Sequence, residues 1–343
     1  MGKMRFARLV APILALGLAT TACAGGSGGS GEAGGGNGQP VRGLEVIVPN
    51  SPGSGYDTTA RAAAKAMEDA GLARSVEVSN VAGAGGTVGL QRVVNEKGNG
   101  DQLLQMGLGV VGAVYTNKSE ATLQETTPVA RLIEEAEAIV VPKDSPLKRV
   151  ADLRGKRVAL NKGSNVHYLL LRALEQAGVP YAEVQTVYLP PADARAAFER
   201  GSVDAWVIWD PFLAAAERQL GARVLADGTG LVANHQFYLA SRDYAARRPD
   251  VLKAVVEELG RLDAWAAAHP KEVAQLLAPQ IGLDLDITER SARRFAYGIR
   301  PVDAAVAREQ QKIADAFHAL KLIPRPLRIA DALPAGVQVA AKP

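Results

Sequence analysis

The sequence contains little of what catalysis, metal binding or disulfide cross-linking requires. It has one cysteine and four histidines in 343 residues. A single cysteine cannot form an intramolecular disulfide, and no histidine follows it at a sequence spacing typical of metal ligands. The motif H-E-x-x-H is missing, and no serine after residue 40 lies in G-x-S-x-G. We therefore expect no metal, no cofactor and no enzymatic activity.

Neither sign of charge is in excess, and aromatic residues are few. The 39 lysines and arginines are interspersed with 36 aspartates and glutamates, which leaves a net charge of +3. We see no basic stripe of the kind that binds nucleic acid, whereas a mildly basic surface favours small anions. Aromatic residues make up only 5% of the chain, so the nearby pair Trp206 and Trp209 stands out.

These two tryptophans lie on a short apolar run, Ala205 to Ile208, that predicts a buried strand. The Asp210-Pro211 step after it predicts the start of a helix. Ligands of open α/β sheets sit outside the carboxyl ends of strands. We therefore expect Trp209 and Asp210 at a ligand site. The alternative is that both tryptophans are core residues and that Asp210 only caps the helix.

The first 43 residues predict export and a flexible attachment. Basic residues precede an apolar run from Leu9 to Ala19, and small residues follow up to Cys23. This layout indicates a secretory signal peptide and is too short for a membrane span. It resembles a bacterial lipoprotein signal, with Thr20 where leucine is usual, which implies removal of residues 1–22 and lipidation of Cys23. An ordinary signal peptide with an incidental cysteine is the alternative. The Gly/Ser-rich residues 23–43 predict a tether.

Strand, glycine-rich turn and helix follow one another twice at the start of the body. Leu44 to Val48 predicts a strand, which leads through a turn into a helix capped by Asp57. Val76 to Val81 leads in the same way into Gly83 to Thr87 and a second helix. Such glycines let backbone N–H groups approach a ligand, and a helix N-terminus favours an anion. Their spacing misses the dinucleotide-binding G-x-G-x-x-G by one residue. Two tight turns without a ligand are the remaining alternative.

These loops resemble the receptor proteins of tripartite tricarboxylate transporters. The likeness runs from about Leu44 to Pro146 and rests on Pro52-Gly53-x-Gly55-x-Asp57 and Asn80-x-x-Gly83-Ala84-Gly85-Gly86. Members of that family have two α/β lobes that close on a carboxylate, which loop amides hold. The resemblance implies a pocket wall that includes Ser54, Gly55, Tyr56, Gly85, Gly86 and Thr87.

An amphipathic helix stands out further along the chain. From Val166 to Ala177, apolar residues recur at the spacing of one buried helical face. Ser164 or Asn165 is placed to cap this helix, so its free amides face the carboxyl end of the preceding strand. An oxyanion there would meet hydrogen-bond donors. His167 is a candidate ligand contact, with a polar surface position as the alternative.

From about residue 140 to 334 the chain is similar to the aliphatic-sulfonate-binding proteins of ABC importers, within the nitrate, sulfonate and taurine group. The matching motifs are Lys162-Gly163-Ser164-Asn165-Val166-His167, Tyr188-Leu189-Pro190-Pro191-Ala192-Asp193-Ala194, the stretch from Gly201 to Phe212, and Asn234 to Ser241. This resemblance implies a sulfonate at the Lys162–His167 loop, with Ser164, Asn165, His167, Trp209 and Asp210 as ligand-binding residues.

The predicted fold is α/β, a two-lobed periplasmic binding protein of type II-like architecture. Each lobe is expected to hold a mostly parallel sheet flanked by helices, with the ligand cleft between the lobes. Residues 44–145 are expected to form the first lobe and 146–240 the second, and residues 241–343 to supply helices returning to the first lobe and a tail. Since the two resemblances differ, the chain is predicted to be a hybrid whose mismatched helices leave cavities.

The predicted function is extracytoplasmic solute binding by a membrane-anchored monomer. It would hand a small organic anion, an aliphatic sulfonate in preference, to the membrane permease of an ABC importer. One alternative is a carboxylate receptor of a tripartite tricarboxylate transporter. Another is a pyrimidine-synthase-like enzyme on the same fold, an analogy that fold alone supports.

Overall fold

The described part of the molecule begins after the predicted signal peptide. The structure, a computed structural model, describes residues 41–97, 101–107, 110, 113–114 and 117–333. The predicted lipidation residue Cys23 and most of the predicted tether therefore lie outside the described residues. Within the described ranges, no helix is both long and apolar enough to span a membrane.

Strands and helices alternate along the chain, as the periodicity and turn signals predict. The strands are β1 (Leu44–Val48), β2 (Val76–Asn80), β3 (Gln102–Gly107), β4 (Thr126–Glu134), β5 (Glu137–Val141), β6 (Arg157–Leu160), β7 (Gln185–Tyr188), β8 (Ala205–Trp209), β9 (Arg223–Asp227) and β10 (His235–Ser241). The helices are α1 (Gly55–Asp69), α2 (Thr87–Asn95), α3 (Asn165–Gln176), α4 (Pro191–Glu199), α5 (Phe212–Gln219), α6 (Arg242–Arg247), α7 (Pro249–Ala268), α8 (Pro270–Ile281), α9 (Leu285–Ala292) and α10 (Ala304–Ala319).

The strands form two sheets, one in each lobe. The first sheet has the order β2-β1-β3-β10-β4, and the second has the order β7-β6-β8-β5-β9. In the first sheet β1 is parallel to β2 and β3, while β10 is antiparallel to both of its neighbours. In the second sheet β6 is parallel to β7 and β8, while β5 is antiparallel to β8 and β9. The predicted two-lobed α/β fold is confirmed, and each sheet is mixed because one strand runs against the others.

The two sheets do not follow the lobe boundaries expected from the sequence, as the reversed strands β5 and β10 show. β5 precedes residue 145 but lies in the second sheet, whereas β10 lies in the first sheet although most of it precedes residue 240. The chain therefore crosses between the lobes twice, once between Glu134 and Glu137 and once between Asp227 and His235. A strand belongs to the sheet whose backbone groups it pairs with, and sequence order alone does not reveal that pairing.

Burial on both faces explains the apolar character of the first strand. Val46 and Val48 on β1 belong to the core that α1 and α7 cover, while Ile47 belongs to the core on the opposite face, with residues of α2. Successive side chains of a strand point to opposite faces, so covering both faces requires a continuous apolar run. In the second lobe, Trp206 and Trp209 both belong to the main core, with 1% and 8% of their surface exposed.

The C-terminal helices contact both lobes, whereas the sequence predicts only their return to the first lobe. Helix α7 packs its Val255 and Leu259 into the core of the first lobe. Helix α9 instead faces α5 of the second lobe, where Arg218 pairs with Asp286 at 2.6 Å. Helix α10 places Phe317 against the helix α3 of the second lobe. These contacts depend on side chains that a periodicity argument does not pair.

Candidate functional site

The two segments in which the chain crosses between the lobes lie side by side at the centre of the candidate site. The Glu135 amide donates to the Asn234 carbonyl at 3.0 Å, and the Asn234 side-chain amide donates back to the Glu135 carbonyl at 3.1 Å. At the end of β8, the amide of Asp210 donates to the Ala136 carbonyl at 3.0 Å. The crossings and the Trp209-Asp210 turn therefore meet at one place between the two sheets.

The N-terminus of α1 reaches this place from the first lobe. Ser54 is the N-cap, and its hydroxyl oxygen accepts a hydrogen bond from the Asp57 amide at 3.3 Å. A Cβ on Gly55 would lie 1.8 Å from Oε1 of Glu135, so the backbone of α1 touches the first crossing directly. Any side chain at position 55 would require the Glu135 carboxyl to move. Gly55 is thus one predicted site residue that the structure brings to the crossings.

The remaining residues of this loop are tied to the first lobe. Asp57 accepts hydrogen bonds from Arg61, from the Gly53 amide and from Asn80, each at 2.9 Å. Asn80 ends β2, so this network joins the two glycine-bearing turns. Because Ser54 is the N-cap of α1, the prediction that Asp57 caps this helix is wrong, and Asp57 instead links the two turns. Tyr56 lies against Gly107, where an added Cβ would approach its hydroxyl to 2.2 Å.

The second glycine loop packs inside the first lobe. Gly85 and Gly86 have positive φ angles of 64° and 98°, a conformation that glycine adopts without steric cost. A Cβ on Gly86 would lie 2.7 Å from Val110, and one on Gly85 would lie 2.6 Å from Ala113. The Thr87 hydroxyl donates to the Ala84 carbonyl at 3.1 Å. These glycines thus allow a close approach to neighbouring chain, and no described contact joins this loop to Glu135.

The N-terminus of α3 reaches the crossings from the second lobe. Its N-cap is Ser164, whose hydroxyl donates to the Asn161 carbonyl at 2.8 Å and makes no cap hydrogen bond to the helix. The side-chain amide of Asn165 donates to Oε2 of Glu137 at 2.7 Å. The predicted residues Ser164 and Asn165 are both buried. The first turn of α3 therefore meets a carboxyl group, as the first turn of α1 does.

His167 faces away from that carboxyl group and is fully buried, so its alternative as a polar surface residue is wrong. The Gly163 amide donates to Nδ1 at 3.0 Å, which leaves Nε2 to donate to the Tyr181 hydroxyl at 2.7 Å. The ring also lies 5.8 Å from that of Phe317 on α10. Burial, helped by the nearby Lys162, lowers the pKa of His167 to about 4. The imidazole is therefore neutral at physiological pH.

Three buried acids gather where the helices and crossings meet, and we call Glu135, Glu137 and Asp210 the carboxyl cluster. Burial, together with Asp210 and Glu137, raises the pKa of Glu135 well above its ordinary value. Burial raises the pKa of Glu137 to about 8, against the hydrogen bond from Asn165. Burial likewise raises the pKa of Asp210 to about 6, although Arg294 lies 3.4 Å away. Glu137 thus holds its proton at neutral pH.

Asp210 also has the capping role that the alternative interpretation gives it. Its Oδ1 accepts a hydrogen bond from the Ala214 amide of α5 at 2.9 Å. Trp209 pairs in register with Glu137 across β8 and β5, so the tryptophan and one carboxyl are neighbours. Both residues are buried, so this turn packs beside the carboxyl cluster and does not form an exposed surface.

Sequence reasoning missed Glu135 and Glu137, because it treated acidic residues as solvated charges on helix faces. Both are buried, with 6% and 3% of their surface exposed. One signal could have revealed them: the acidic run Glu134-Glu135-Ala136-Glu137 separates two apolar strands, a position where the chain has no helix face to solvate it. Nearby, the side chains of Gln105 and Gln236 are also buried and joined by a 2.8 Å hydrogen bond.

This arrangement suits an anion that is bound by hydrogen-bond donors and not by a positively charged side chain. The first amides of a helix lack intrahelical acceptors and carry part of the helix dipole. A protonated carboxyl adds an O–H donor, whereas an ionised one would repel an anion. The structure places two helix N-termini, one from each lobe, beside acids whose pKa values burial raises.

Comparison with known proteins identifies the family. Residues 93–273, more than half of the chain, match the family model described as NMT1/THI5 like. The chain belongs to this family. An aliphatic sulfonates-binding protein of Escherichia coli strain K12 is 46% identical over 195 residues, which is 57% of this chain and 61% of that protein. This NMT1/THI5-like chain therefore spans about three fifths of that curated relative, and the predicted likeness to sulfonate-binding proteins is confirmed.

Solved structures extend the likeness over both lobes. The periplasmic aliphatic sulphonate binding protein SsuA from Escherichia coli has a TM-score of 0.69 and 33% identity, with coverage of 85% of this chain and 97% of SsuA. The alkanesulfonate-binding protein SsuA from Xanthomonas axonopodis pv. citri, bound to MOPS, gives 0.69 and 30%, with coverage of 86% and 98%. The likeness of the first lobe to tricarboxylate receptors stays a prediction.

Proposed function

We propose that this NMT1/THI5-like protein binds an aliphatic sulfonate between its lobes and delivers it to the permease of an ABC importer. The similarity to SsuA, which extends over nearly all of that protein's length, carries the proposal. The relatives named above are binding proteins, and we propose that this chain likewise binds its ligand without transforming it. It would act as a monomer.

The helix N-termini support an anionic ligand. Gly55 starts α1 against Glu135, and Asn165 starts α3 against Glu137. An anion that reached both helices would contact unpaired amides from both lobes and would hold the lobes together. It would take the place that the Glu135 carboxyl now occupies at Gly55. Ligand binding and lobe closure would then be one event.

The raised pKa values in the carboxyl cluster favour an anionic ligand, because protonated carboxyl groups can donate hydrogen bonds to it. A sulfonate suits such a site because it stays ionised over the physiological pH range. Neutral Glu135 and Glu137 can donate hydrogen bonds to sulfonate oxygens, and their ionised forms cannot. Because burial raises the pKa of Glu137 to about 8, affinity should fall as pH rises through this value. A carboxylate ligand, which can carry up to three charges as a tricarboxylate, would need more donors than the two helix ends provide.

The test is a ligand panel measured by thermal shift and calorimetry. Alkanesulfonates, MOPS and taurine are compared with citrate and succinate, and a true ligand at one hundred times its Kd should add about 2.7 kcal/mol of stability. Stabilisation by citrate and by no sulfonate would reject the proposal in favour of a carboxylate receptor. Stabilisation by none of the compounds would reject both.

A matched pair of glycine variants tests where the ligand lies. Gly55→Ala forces the Glu135 carboxyl to move and covers the α1 amides, so sulfonate affinity should fall at least tenfold. Gly260→Ala serves as the control, because an added Cβ there meets no atom within 4 Å. Equal affinity in both variants would exclude the α1 N-terminus from the binding site.

We also propose that Cys23 is lipidated and holds the protein at the outer face of the membrane. Its sequence context, with a signal-like segment before it and a glycine-rich segment after it, supports this attachment. Mass spectrometry of the membrane fraction should find a lipid-modified peptide that begins at Cys23. A Cys23→Ala protein that stayed membrane-bound would contradict it.

A further inference from the structure

A cavity of about 400 Å³ lies in the first lobe, and none of the carboxyl cluster lines it. Helix α1 forms one wall with Ala62, Ala63 and Ala66, while α7 and α8 face it across the gap with larger residues such as Trp265 and Leu277. Ala62 packs against the cluster that contains Ala266 and Leu277 of the opposite wall, and the short alanine side chains leave open space beside that contact. The cavity is thus a consequence of the small residues on α1.

The charged residues around the cavity are all engaged. Lys65 pairs with Asp69 and Arg261 pairs with Glu258, in each case within one helix. Arg61 pairs with Asp57. The sixth charged residue in the lining, Asp263, accepts a hydrogen bond from the Gly298 amide at 2.7 Å. Each of these charged groups already has an ion-pair or hydrogen-bond partner, which favours a neutral ligand.

One polar group in the wall lacks a partner. Tyr238 on β10 is fully buried, and within the described residues its hydroxyl has no hydrogen-bond partner. A buried hydroxyl without a partner costs free energy that a single hydrogen bond recovers. The rest of the lining is predominantly apolar, with Leu262, Phe295 and Ile299 among its members.

We propose that this cavity is a second ligand site, which binds a neutral aromatic molecule carrying one hydrogen-bonding group. An apolar cavity of about 150 Å³ is enough to bind benzene. The present cavity of about 400 Å³ therefore has room for two fused rings and a hydroxyl. The aromatic rings would fill the gap between α1 and α7, and the hydroxyl would bond to Tyr238. Occupancy would brace the helices that cover the first sheet, at a place separate from the sulfonate.

Calorimetric titration of the full chain, produced without lipid, with 2-naphthol tests this site. We expect one molecule bound per chain, with micromolar affinity that saturating sulfonate does not abolish. Ala62→Phe fills the cavity and should weaken 2-naphthol binding at least tenfold. Ala70→Phe adds the same ring at the exposed end of α1 and should leave binding unchanged. Tyr238→Phe should weaken it several-fold.

No binding of 2-naphthol to the unaltered chain would overturn the proposal and leave the cavity as a packing gap. Unchanged binding in Ala62→Phe would overturn it as well, because the probe would then lie elsewhere. If Ala62→Phe fails to fold, the smaller change Ala62→Leu provides the same comparison. Sulfonate affinity should be the same in the Ala62 variants and the unaltered chain, so this result is independent of the proposed transport function.

Discussion

Helices α1 and α3 open the two lobes in the same way but fill them differently. Each starts at a serine N-cap and meets a buried glutamate in its first turn. The buried face of α3 carries Leu169, Leu170 and Leu174, whereas the apolar side chains that α1 buries are three alanines and one methionine. The start of a helix can therefore be available to the proposed ligand whether the rest of the helix packs tightly, as α3 does, or loosely, as α1 does.

The free amides at the start of a helix and the packing of its body have separate physical causes. The first-turn amides, which we propose contact the anion, follow from where a helix begins, which is a local property. The filling of a lobe follows from how large residues on one helix match small ones on another, which is a property of the pair. α1 lies in the segment whose likeness to tricarboxylate receptors stays a prediction and α7 in the segment that resembles sulfonate-binding proteins, and the cavity of about 400 Å³ lies between them.

The largest expected effect breaks the packing of α3. Leu169 is fully buried in the second-lobe core, so Leu169→Ala should lower the free energy of unfolding by about 3 kcal/mol. The same change at the partly buried Leu262, in the cavity wall, should cost only about 1 kcal/mol. Urea unfolding of both variants measures the difference. Equal losses would show that the first lobe is packed as tightly as the second.

The second effect is the pH dependence of stability that Glu137, the buried carboxyl bonded to Asn165 on α3, should cause. The pKa of Glu137 is raised from 4.5 to about 8, so between these values the folded state holds a proton that the unfolded state releases. Its contribution to stability therefore falls as pH rises through this window. Glu137→Gln removes that loss while keeping an acceptor for Asn165.

The advantage of Glu137→Gln over the unaltered chain should grow between pH 5 and pH 8 in urea unfolding experiments. Glu77→Gln, at an exposed position of β2, is the matched control. A difference between Glu137→Gln and the unaltered chain that stayed constant over this range would mean that Glu137 is ionised in the folded state. That result would also remove its proposed role as a donor to the sulfonate.

The smallest expected effect concerns α7, the helix that covers α1. An added Cβ at Gly260 meets no atom within 4 Å, so Gly260→Ala should raise the free energy of unfolding by roughly 0.5–1 kcal/mol through helix propensity. Gly71→Ala also meets open space, but φ is 68° there, and this variant should lose stability. Thermal unfolding ranks the two, and a loss in Gly260→Ala would point to a hidden contact of α7.

Much of the fold could be predicted from the sequence because its signals are local. The apolar run of β1 and the regular spacing of Val166 to Ala177 define a buried strand and an amphipathic helix before any contact is known. Glycine at 55, 85 and 86 allows the backbone to lie close to neighbouring side chains, whereas its predicted approach to a ligand stays a prediction. The burial of Glu135 and Glu137 had only the acidic run between two apolar strands as its signal, and the strand exchange between the lobes had none.

What the sequence by itself determined is where helices and strands begin, which faces they bury and where the backbone needs glycine. Tertiary structure decided what lies against those features. Gly55 meets the carboxyl of a crossing strand, whereas Gly86 meets Val110 inside its own lobe. His167 is neutral because Tyr181 and Phe317 enclose it from distant parts of the chain. Burial removes water from an ionisable group, and burial depends on neighbours that only the folded chain brings together.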